Sequence, residues 1–179
     1  MMERFNPENP YIALPGGRVV HLLMISPYEF TIYDIASALS KLCRFTGQVT
    51  NFYSVAQHSC YVHDLVTSNN RLWGLLHDAS EAFIGDVSSP LKHLLPEYCG
   101  IEAKIMRCIT DKYGLEPKIP DEVKTVDLRL LLNEAQALLP GVDIANWGVP
   151  AEPLDLKITG VWLPDVAEKE FLLRFSKLV

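Results

Sequence analysis

A chain of 179 residues fits one domain with a single sizeable core, and 49% hydrophobic with 21% charged residues is an ordinary globular mixture. A net charge of −6 argues against a protein that grips long nucleic acid through its phosphates, although a mononucleotide needs only a few local cations. No apolar run has the length of a membrane-spanning helix, and the start of the chain, MMERFNPENP, lacks the apolar stretch of a secretory signal.

The first thirty residues predict a short hairpin or an irregular segment. Two stretches, Tyr11 to Leu14 and Arg18 to Leu23, flank Pro15, Gly16 and Gly17, which are typical turn residues. We therefore expect this part of the chain to stand apart from the helical pattern that follows it.

From Thr31 onward the pattern is helical. Thr31 with Asp34 resembles a capping box, and Ser54 with Gln57 repeats the signal one helix later. Further helices are predicted from Leu72 to Phe83, from Pro96 or Glu97 to Gly114, from Pro120 to Pro140 and from Pro164 to Phe175, with a long loop over Gly141 to Leu163. The sequence thus predicts one all-α domain over residues 1–179.

The cysteines indicate the compartment. Cys43, Cys60, Cys99 and Cys108 have no CxxC spacing, and they lie in a chain too long for a small disulfide scaffold. Reduced thiols that pack as small apolar groups explain them most simply. Together with the missing signal sequence, this predicts a cytoplasmic protein.

The segment around His77 and Asp78 carries the chemical signal. Glu81 follows His77 by four residues and Asp78 by three, so it is predicted to share their helical face. A third carboxylate that close to two ligand-type residues is costly without a positive charge nearby, and a bound divalent cation supplies one. By itself, a His-Asp pair is more often a solvated or hydrogen-bonded pair than a metal site.

Two further residues change that balance. His58 lies in an apolar stretch one helix upstream, and Asp127 lies between Val126 and Leu130 on a downstream helix. An aspartate in an apolar stripe is seldom buried unless it is paired. Two imidazoles and two carboxylates form a mixed nitrogen and oxygen set that suits manganese, cobalt, zinc or iron better than calcium.

The order His, His-Asp, Asp on successive helices resembles the HD-domain metal-dependent phosphohydrolases. Several blocks extend the match: Asp34-Ile-Ala, Arg44-Phe-Thr-Gly47, Phe52 to Ser59, Leu75 to Phe83, Gly85-Asp-Val, Ser89-Pro-Leu-Lys92 and Val126-Asp-Leu-Arg129. The resemblance covers about residues 31–139, the expected HD core. The chain resembles the YfbR-type 5′-deoxynucleotidases and, most of all, the phage dATP triphosphohydrolases called DatZ. This resemblance implies a compact HD-domain helical bundle.

The resemblance also implies roles for individual residues. In that family the positions of His58, His77, Asp78 and Asp127 hold the catalytic metal, which acidifies a bound water. The position of Glu81 serves as the general base or orients that water, and Asp86 matches a carboxylate near the site. Phosphate contacts match Arg44 and Lys92, with Lys124 as a third candidate. Phe45 stands where related enzymes often carry tryptophan, and either stacks on the substrate or belongs to the core.

The expected reaction is the hydrolysis of a deoxynucleotide, first of dATP to deoxyadenosine and triphosphate, with dADP and dAMP as further substrates. Alternatives are a 5′-deoxynucleotidase for monophosphates, a phosphodiesterase for a cyclic or short nucleotide, and a non-catalytic regulatory module that binds nucleotide. The expected cofactor is a divalent metal, Co²⁺, Mn²⁺ or Zn²⁺, with Mg²⁺ as an alternative. We also expect a homo-oligomer that binds neither long nucleic acid nor membrane, in the host cytoplasm if the chain is phage-encoded.

Overall fold

The N-terminal hairpin is the only sheet within residues 8–179, the part of the chain that the computed structural model describes. Strand β1 (Tyr11–Ala13) pairs antiparallel with β2 (Val19–His21), and Tyr11 lies opposite His21. Pro15–Gly17 forms the turn, where Gly16 and Gly17 take positive φ angles of 79° and 77°. The predicted hairpin is confirmed. The expected absence of a secretory signal rests on residues 1–10, of which residues 1–7 lie outside the described residues.

The rest of the described chain is mainly helical, which confirms the all-α prediction. Its α-helices are α1 (Ile32–Leu39), α2 (Val55–Leu65), α3 (Arg71–Leu76), α4 (Glu81–Ile84), α5 (Ser89–Lys92), α6 (Pro96–Tyr113), α7 (Asp121–Leu138) and α8 (Pro164–Phe175). Short 3₁₀ turns occur at Pro15–Gly17, Phe45–Gly47, Ser68–Asn70 and Ile144–Trp147. Among residues 8–179, no helix has both the length and the apolar character needed to cross a bilayer.

Local capping explains where the first helices begin. The Thr31 side chain accepts a bond from the Asp34 N–H, and the Asp34 carboxylate accepts from the Thr31 N–H, which completes the predicted capping box of α1. Such a cap stabilises a helix by about 1 kcal/mol. Ser54 caps α2 in the same way by accepting from the N–H of Gln57.

The predicted continuous helix from Leu72 to Phe83 is wrong, because the chain turns more tightly between α3 and α4. There the amides of Ala79, Glu81 and Phe83 each bond to the carbonyl three residues earlier, as in a 3₁₀ turn. The His77 ring donates to the Gly74 carbonyl, which is the acceptor that a continuous α-helix would use for the next amide. This turn places the His-Asp pair at a bend instead of along a helical face.

Helix α2 lies at the centre of the packing and contacts α3, α7 and α8, while α1 packs on α4 and α8. The main core is fully buried and aliphatic or aromatic, and includes Phe30, Ile35, Leu39, Leu75, Leu76, Ile105, Ile109 and Phe171. A second cluster fills the space between α2, α3 and α7 with Val62, Val66, Trp73, Val123 and Leu130. The functional side chains of α2, α3 and α7 are therefore held by a common core.

The long segment between α7 and α8 is ordered by polar anchors. The buried Gln57 side chain donates to the Gly160 carbonyl and accepts from the Trp162 N–H, both at 2.9 Å. The Trp162 ring stacks on Tyr61, with ring centroids 5.9 Å apart. These contacts fix the loop against α2 although it has little regular structure of its own.

Candidate metal centre

Two imidazoles from different helices meet at one point. His58 is fully buried in the middle of α2, and the His77 side chain, directly after α3, is 3% exposed. Their Nε2 atoms are 3.2 Å apart. Two unprotonated ring nitrogens repel each other at that distance, so either a proton or a cation must lie between them.

Two carboxylates complete the set of ligand atoms. Asp127 Oδ1 lies 3.1 Å from His58 Nε2, and Asp78 Oδ2 lies 3.2 Å from His77 Nε2 and 3.7 Å from His58 Nε2. Ligand atoms of His58, His77 and Asp127 all lie within 4.8 Å of one another, whereas Asp78 contacts both rings but is not part of this group of three. Donors at about 2.0–2.1 Å around one tetrahedral cation are about 3.3 Å apart, so the contacts of His58 with His77 and Asp127 suit a metal ion.

The outer nitrogens of both rings are already bonded. His77 Nδ1 donates to the Gly74 carbonyl at 2.8 Å, and His58 Nδ1 donates to Glu134 Oε1 at 2.7 Å. A ring that donates through Nδ1 keeps its Nε2 lone pair for a ligand in the neutral tautomer, as in most histidine metal sites. Both imidazoles are therefore oriented for the same cation.

Glu134 was missed by the sequence reasoning. It is fully buried on α7 and accepts from His58, from the Tyr53 hydroxyl at 2.8 Å and from Arg44 Nε at 3.1 Å. Burial raises the pKa of Glu134, but Arg44 and His58 outweigh that effect and lower it. The available signal was its spacing, since Glu134 follows Asp127 by seven residues, two helical turns along the same face.

Replacing Glu134 by glutamine is expected to weaken metal binding about 10–100-fold, the usual effect of losing such an outer hydrogen-bond partner. The glutamine amide cannot accept hydrogen bonds from Arg44, Tyr53 and His58 together, as the Glu134 carboxylate does. Tyr53→Phe removes one bond to the same carboxylate and leaves His58 untouched, so it should weaken binding less. Cobalt titration monitored by absorption would measure both variants, and equal affinities for Glu134→Gln and the wild type would contradict this role.

Arg44 and Lys92, the two residues that the resemblance assigns to phosphate contacts, both form ion pairs with carboxylates of the centre. Arg44 is nearly buried, and its Nη1 lies 3.5 Å from Asp78 Oδ2. The Lys92 side chain is 24% exposed, and its Nζ atom lies 3.4 Å from Glu81 Oε1 and 2.7 Å from Glu102 Oε1. Lys92 is thus the more accessible of the two cations, while Arg44 also braces two of the site's carboxylates.

Glu81 and Asp86 are the carboxylates assigned to catalysis from the sequence. Glu81 is 4% exposed, and its Oε2 atom is buried without a hydrogen-bond partner among the described residues. Burial, reinforced by Asp78 and Asp86, raises the pKa of Glu81 to about 9. The pKa of Asp86 is also raised, chiefly by burial.

The other two predicted substrate contacts, Lys124 and Phe45, make interactions with residues that are not ligands of the centre. Lys124 is about half exposed on α7, and its ion-pair partner is Asp121 at 3.9 Å. The Phe45 ring lies 5.7 Å from the Arg44 guanidinium carbon and 6.4 Å from the Trp147 ring, between centroids. Phe45 and Thr46 have positive φ angles of 54° and 52°, which are strained for residues with a side chain.

The charge balance of the centre favours a cation. Its carboxyl groups, Asp78, Glu81, Asp86, Asp127 and Glu134, outnumber its permanently charged cations, Arg44 and Lys92, and without a metal this excess is offset by protons on Glu81 and His77, whose pKa values are both raised to about 9. Burial lowers the pKa of His77, but Asp78 and Asp127 outweigh it and raise the pKa to about 9. A metal must therefore displace a proton from this ring at neutral pH.

Metal affinity is consequently expected to rise with pH up to about 9. Below the pKa of His77, each pH unit should tighten binding by up to about tenfold, because one proton leaves for each metal bound. Above it, the ring is already neutral and this contribution levels off. Cobalt titrations between pH 6 and 9 would measure the slope, and an affinity independent of pH would contradict the assignment of His77 as a ligand.

The fold and this centre define a helical protein with a candidate histidine and aspartate metal site. No protein-family model matches the chain. It is 39% identical over 173 residues to the uncharacterized protein YfdR of Escherichia coli (strain K12), which covers 94% of this chain and 95% of that protein. It is also 34% identical over 119 residues to an uncharacterized protein of Rhodobacter capsulatus, 61% of each chain. The chain belongs to the family of E. coli YfdR.

Proposed function

We propose that this chain is a metal-dependent phosphohydrolase of the HD-domain type that acts on small deoxynucleotides, with dATP as the first candidate. The observation that carries the proposal is the convergence of two oriented imidazoles and two carboxylates, with Asp127 Oδ1 3.1 Å and Asp78 Oδ2 3.7 Å from His58 Nε2. The donor set fits Mn²⁺, Co²⁺ or Zn²⁺. The preference for deoxyribose and adenine rests on the resemblance noted from the sequence.

A divalent cation, when bound, would supply Lewis acidity and lower the pKa of an attacking water and of Glu81. Glu81 has a carboxylate oxygen with no hydrogen-bond partner among residues 8–179, so we assign it to take the proton of the water. Lys92 and Arg44 offset negative charge on the phosphoryl group. Asp86, whose pKa is raised, is the candidate acid for the leaving oxygen.

Cleavage of the bond between the α-phosphorus and the 5′-oxygen explains both candidate reactions. Water adds to phosphorus, and the 5′-oxygen leaves with a proton as the nucleoside hydroxyl. From dATP the products are deoxyadenosine and triphosphate, and from dAMP they are deoxyadenosine and phosphate. The same residues can therefore serve a triphosphohydrolase and a 5′-deoxynucleotidase.

The test is to incubate the protein with each dNTP, dNMP and NTP in Mn²⁺ or Co²⁺ and to separate the products by chromatography. We expect deoxynucleosides from deoxynucleotides, with dATP hydrolysed fastest, and no product from His77→Ala purified in parallel. Equal hydrolysis of ribonucleotides would contradict the sugar preference. Absence of hydrolysis with every metal would overturn the enzyme proposal in favour of a nucleotide-binding regulatory module.

A further inference from the structure

Lys92 belongs to a weakly buried part of the chain. Its helix, α5, has only four residues, and most of the residues from 89 to 97 are exposed. A lysine side chain is long and flexible, and holding it in one conformation costs entropy. Contacts from elsewhere in the fold must therefore fix the Lys92 ammonium beside the metal centre.

Those contacts come from one face of α6. Tyr98 and Glu102 are four residues apart, so they lie on the same side of the helix. Glu102 Oε1 lies 2.7 Å from Lys92 Nζ, whereas Glu81 Oε1 lies 3.4 Å from it. The Tyr98 ring centroid lies 5.9 Å from the same ammonium, and the Tyr98 hydroxyl donates to the Gly85 carbonyl at 3.0 Å. This face of α6 thus contacts both ends of the segment that joins Gly85 to Lys92.

The contact with Glu102 is the stronger of the two ion pairs of Lys92. At 2.7 Å it is a short, charge-assisted hydrogen bond, whereas the contact of 3.4 Å with Glu81 is longer and weaker. Burial lowers the pKa of Lys92, but Glu102 and Glu81 outweigh that effect and raise it. The ammonium is therefore charged and is held mainly by Glu102 at a short distance from Glu81.

We propose that Glu102 is a positioning residue for nucleotide hydrolysis, which holds the Lys92 ammonium in place beside Glu81. This inference rests on the proposed function, in which Lys92 offsets negative charge on the phosphoryl group. A charge that is already in position stabilises a transition state more than a mobile one, because it does not have to be ordered during the reaction. Glu102 acts through Lys92 and does not itself contact the substrate.

Glu102→Gln is the informative variant, because it keeps the length of the side chain and removes its charge. Glu97→Gln is the matched control, since it makes the same substitution at an exposed position in the first turn of α6. Both substitutions would also be combined with Lys92→Met. Steady-state kinetics in Mn²⁺ with the deoxynucleotide that is hydrolysed fastest would give kcat and KM, and melting temperatures would compare the stability of the variants.

We expect Glu102→Gln to lower kcat/KM at least about tenfold, since a misplacement of about 1 Å in a positioned group can cost about 10²-fold. Glu97→Gln should match the wild type. In the Lys92→Met background, Glu102→Gln should change kcat/KM by less than about twofold, because no ammonium is left to position. An equal loss with and without Lys92 would overturn the inference, since Glu102 would then act through another group.

Competitive acetylation with acetic anhydride tests the same contact without substrate or metal. The reagent attacks the neutral amine, and mass spectrometry of peptides gives the rate for each lysine. Removal of the Glu102 charge should lower the pKa of Lys92, so at pH 9 this residue should acetylate faster, by about tenfold for each pKa unit. Lys104, which is exposed on the same helix, is the internal reference. An unchanged rate for Lys92 in Glu102→Gln would overturn the inference.

The two measurements separate this inference from the proposed function. Faster acetylation of Lys92 in Glu102→Gln, in a protein that hydrolyses no nucleotide, would keep the control of Lys92 by Glu102 and reject the enzyme. Hydrolysis by the wild type with an unchanged kcat/KM in Glu102→Gln would keep the enzyme and reject Glu102 as a positioning residue.

Discussion

Replacing His77 by alanine is expected to remove both metal binding and hydrolysis. The ring supplies one of two nitrogen donors, and its Nε2 lies 3.2 Å from both His58 Nε2 and Asp78 Oδ2. Without this ring, His58 is the one imidazole left beside the two carboxylates, so the centre binds a cation less tightly. Since losing only an outer partner costs 10–100-fold in metal affinity, losing a ligand should cost more than about 100-fold.

Cobalt absorption and elemental analysis of the purified protein would measure metal content, and product chromatography would measure activity. His93→Ala is a suitable control, because His93 is exposed and its ring bonds to the Ser89 carbonyl. Stoichiometric metal in His77→Ala, with a wild-type affinity, would show that the four-residue centre is assigned wrongly. Circular dichroism would establish that the variant retains its helices.

Glu81→Gln is expected to lower kcat by about 10²–10⁴-fold while metal binding is retained, the usual effect of removing a positioned acid–base group. Glutamine preserves the shape of the side chain but cannot take a proton from water. The raised pKa of Glu81, about 9, comes from burial and from Asp78 and Asp86. A cation at the centre would move that pKa toward the range in which a general base works at neutral pH.

Single-turnover rates with Mn²⁺ and parallel metal titrations would separate the two effects. Glu97→Gln provides a matched control, since Glu97 is exposed in the first turn of α6. Retained turnover in Glu81→Gln would assign the proton transfer to another group, with Asp86 the next to test. A loss of metal affinity equal to the loss of activity would make Glu81 part of the metal site instead.

Several features of this protein are determined by local sequence. The Thr31 capping box, the Ser54 cap and the glycine at the end of α6 each act within a few residues, so helix starts and ends could be predicted from them. The candidate metal ligands could be predicted from the sequence, because burying a histidine or a carboxylate in an apolar stripe costs free energy unless the side chain is paired. The sequence also carried the resemblance from which the enzyme class is proposed.

Tertiary structure decided how those residues meet. The 3₁₀-type turn after α3, where the His77 ring bonds to the Gly74 carbonyl, is the context in which His77 Nε2 lies 3.2 Å from Asp78 Oδ2. The support of His58 by Glu134 joins residues 76 positions apart, and the bond from Arg44 to the same carboxylate joins residues 90 positions apart. Such contacts depend on how the whole core packs, because a shift of about 1 Å between helices breaks a hydrogen bond while every local sequence signal stays the same.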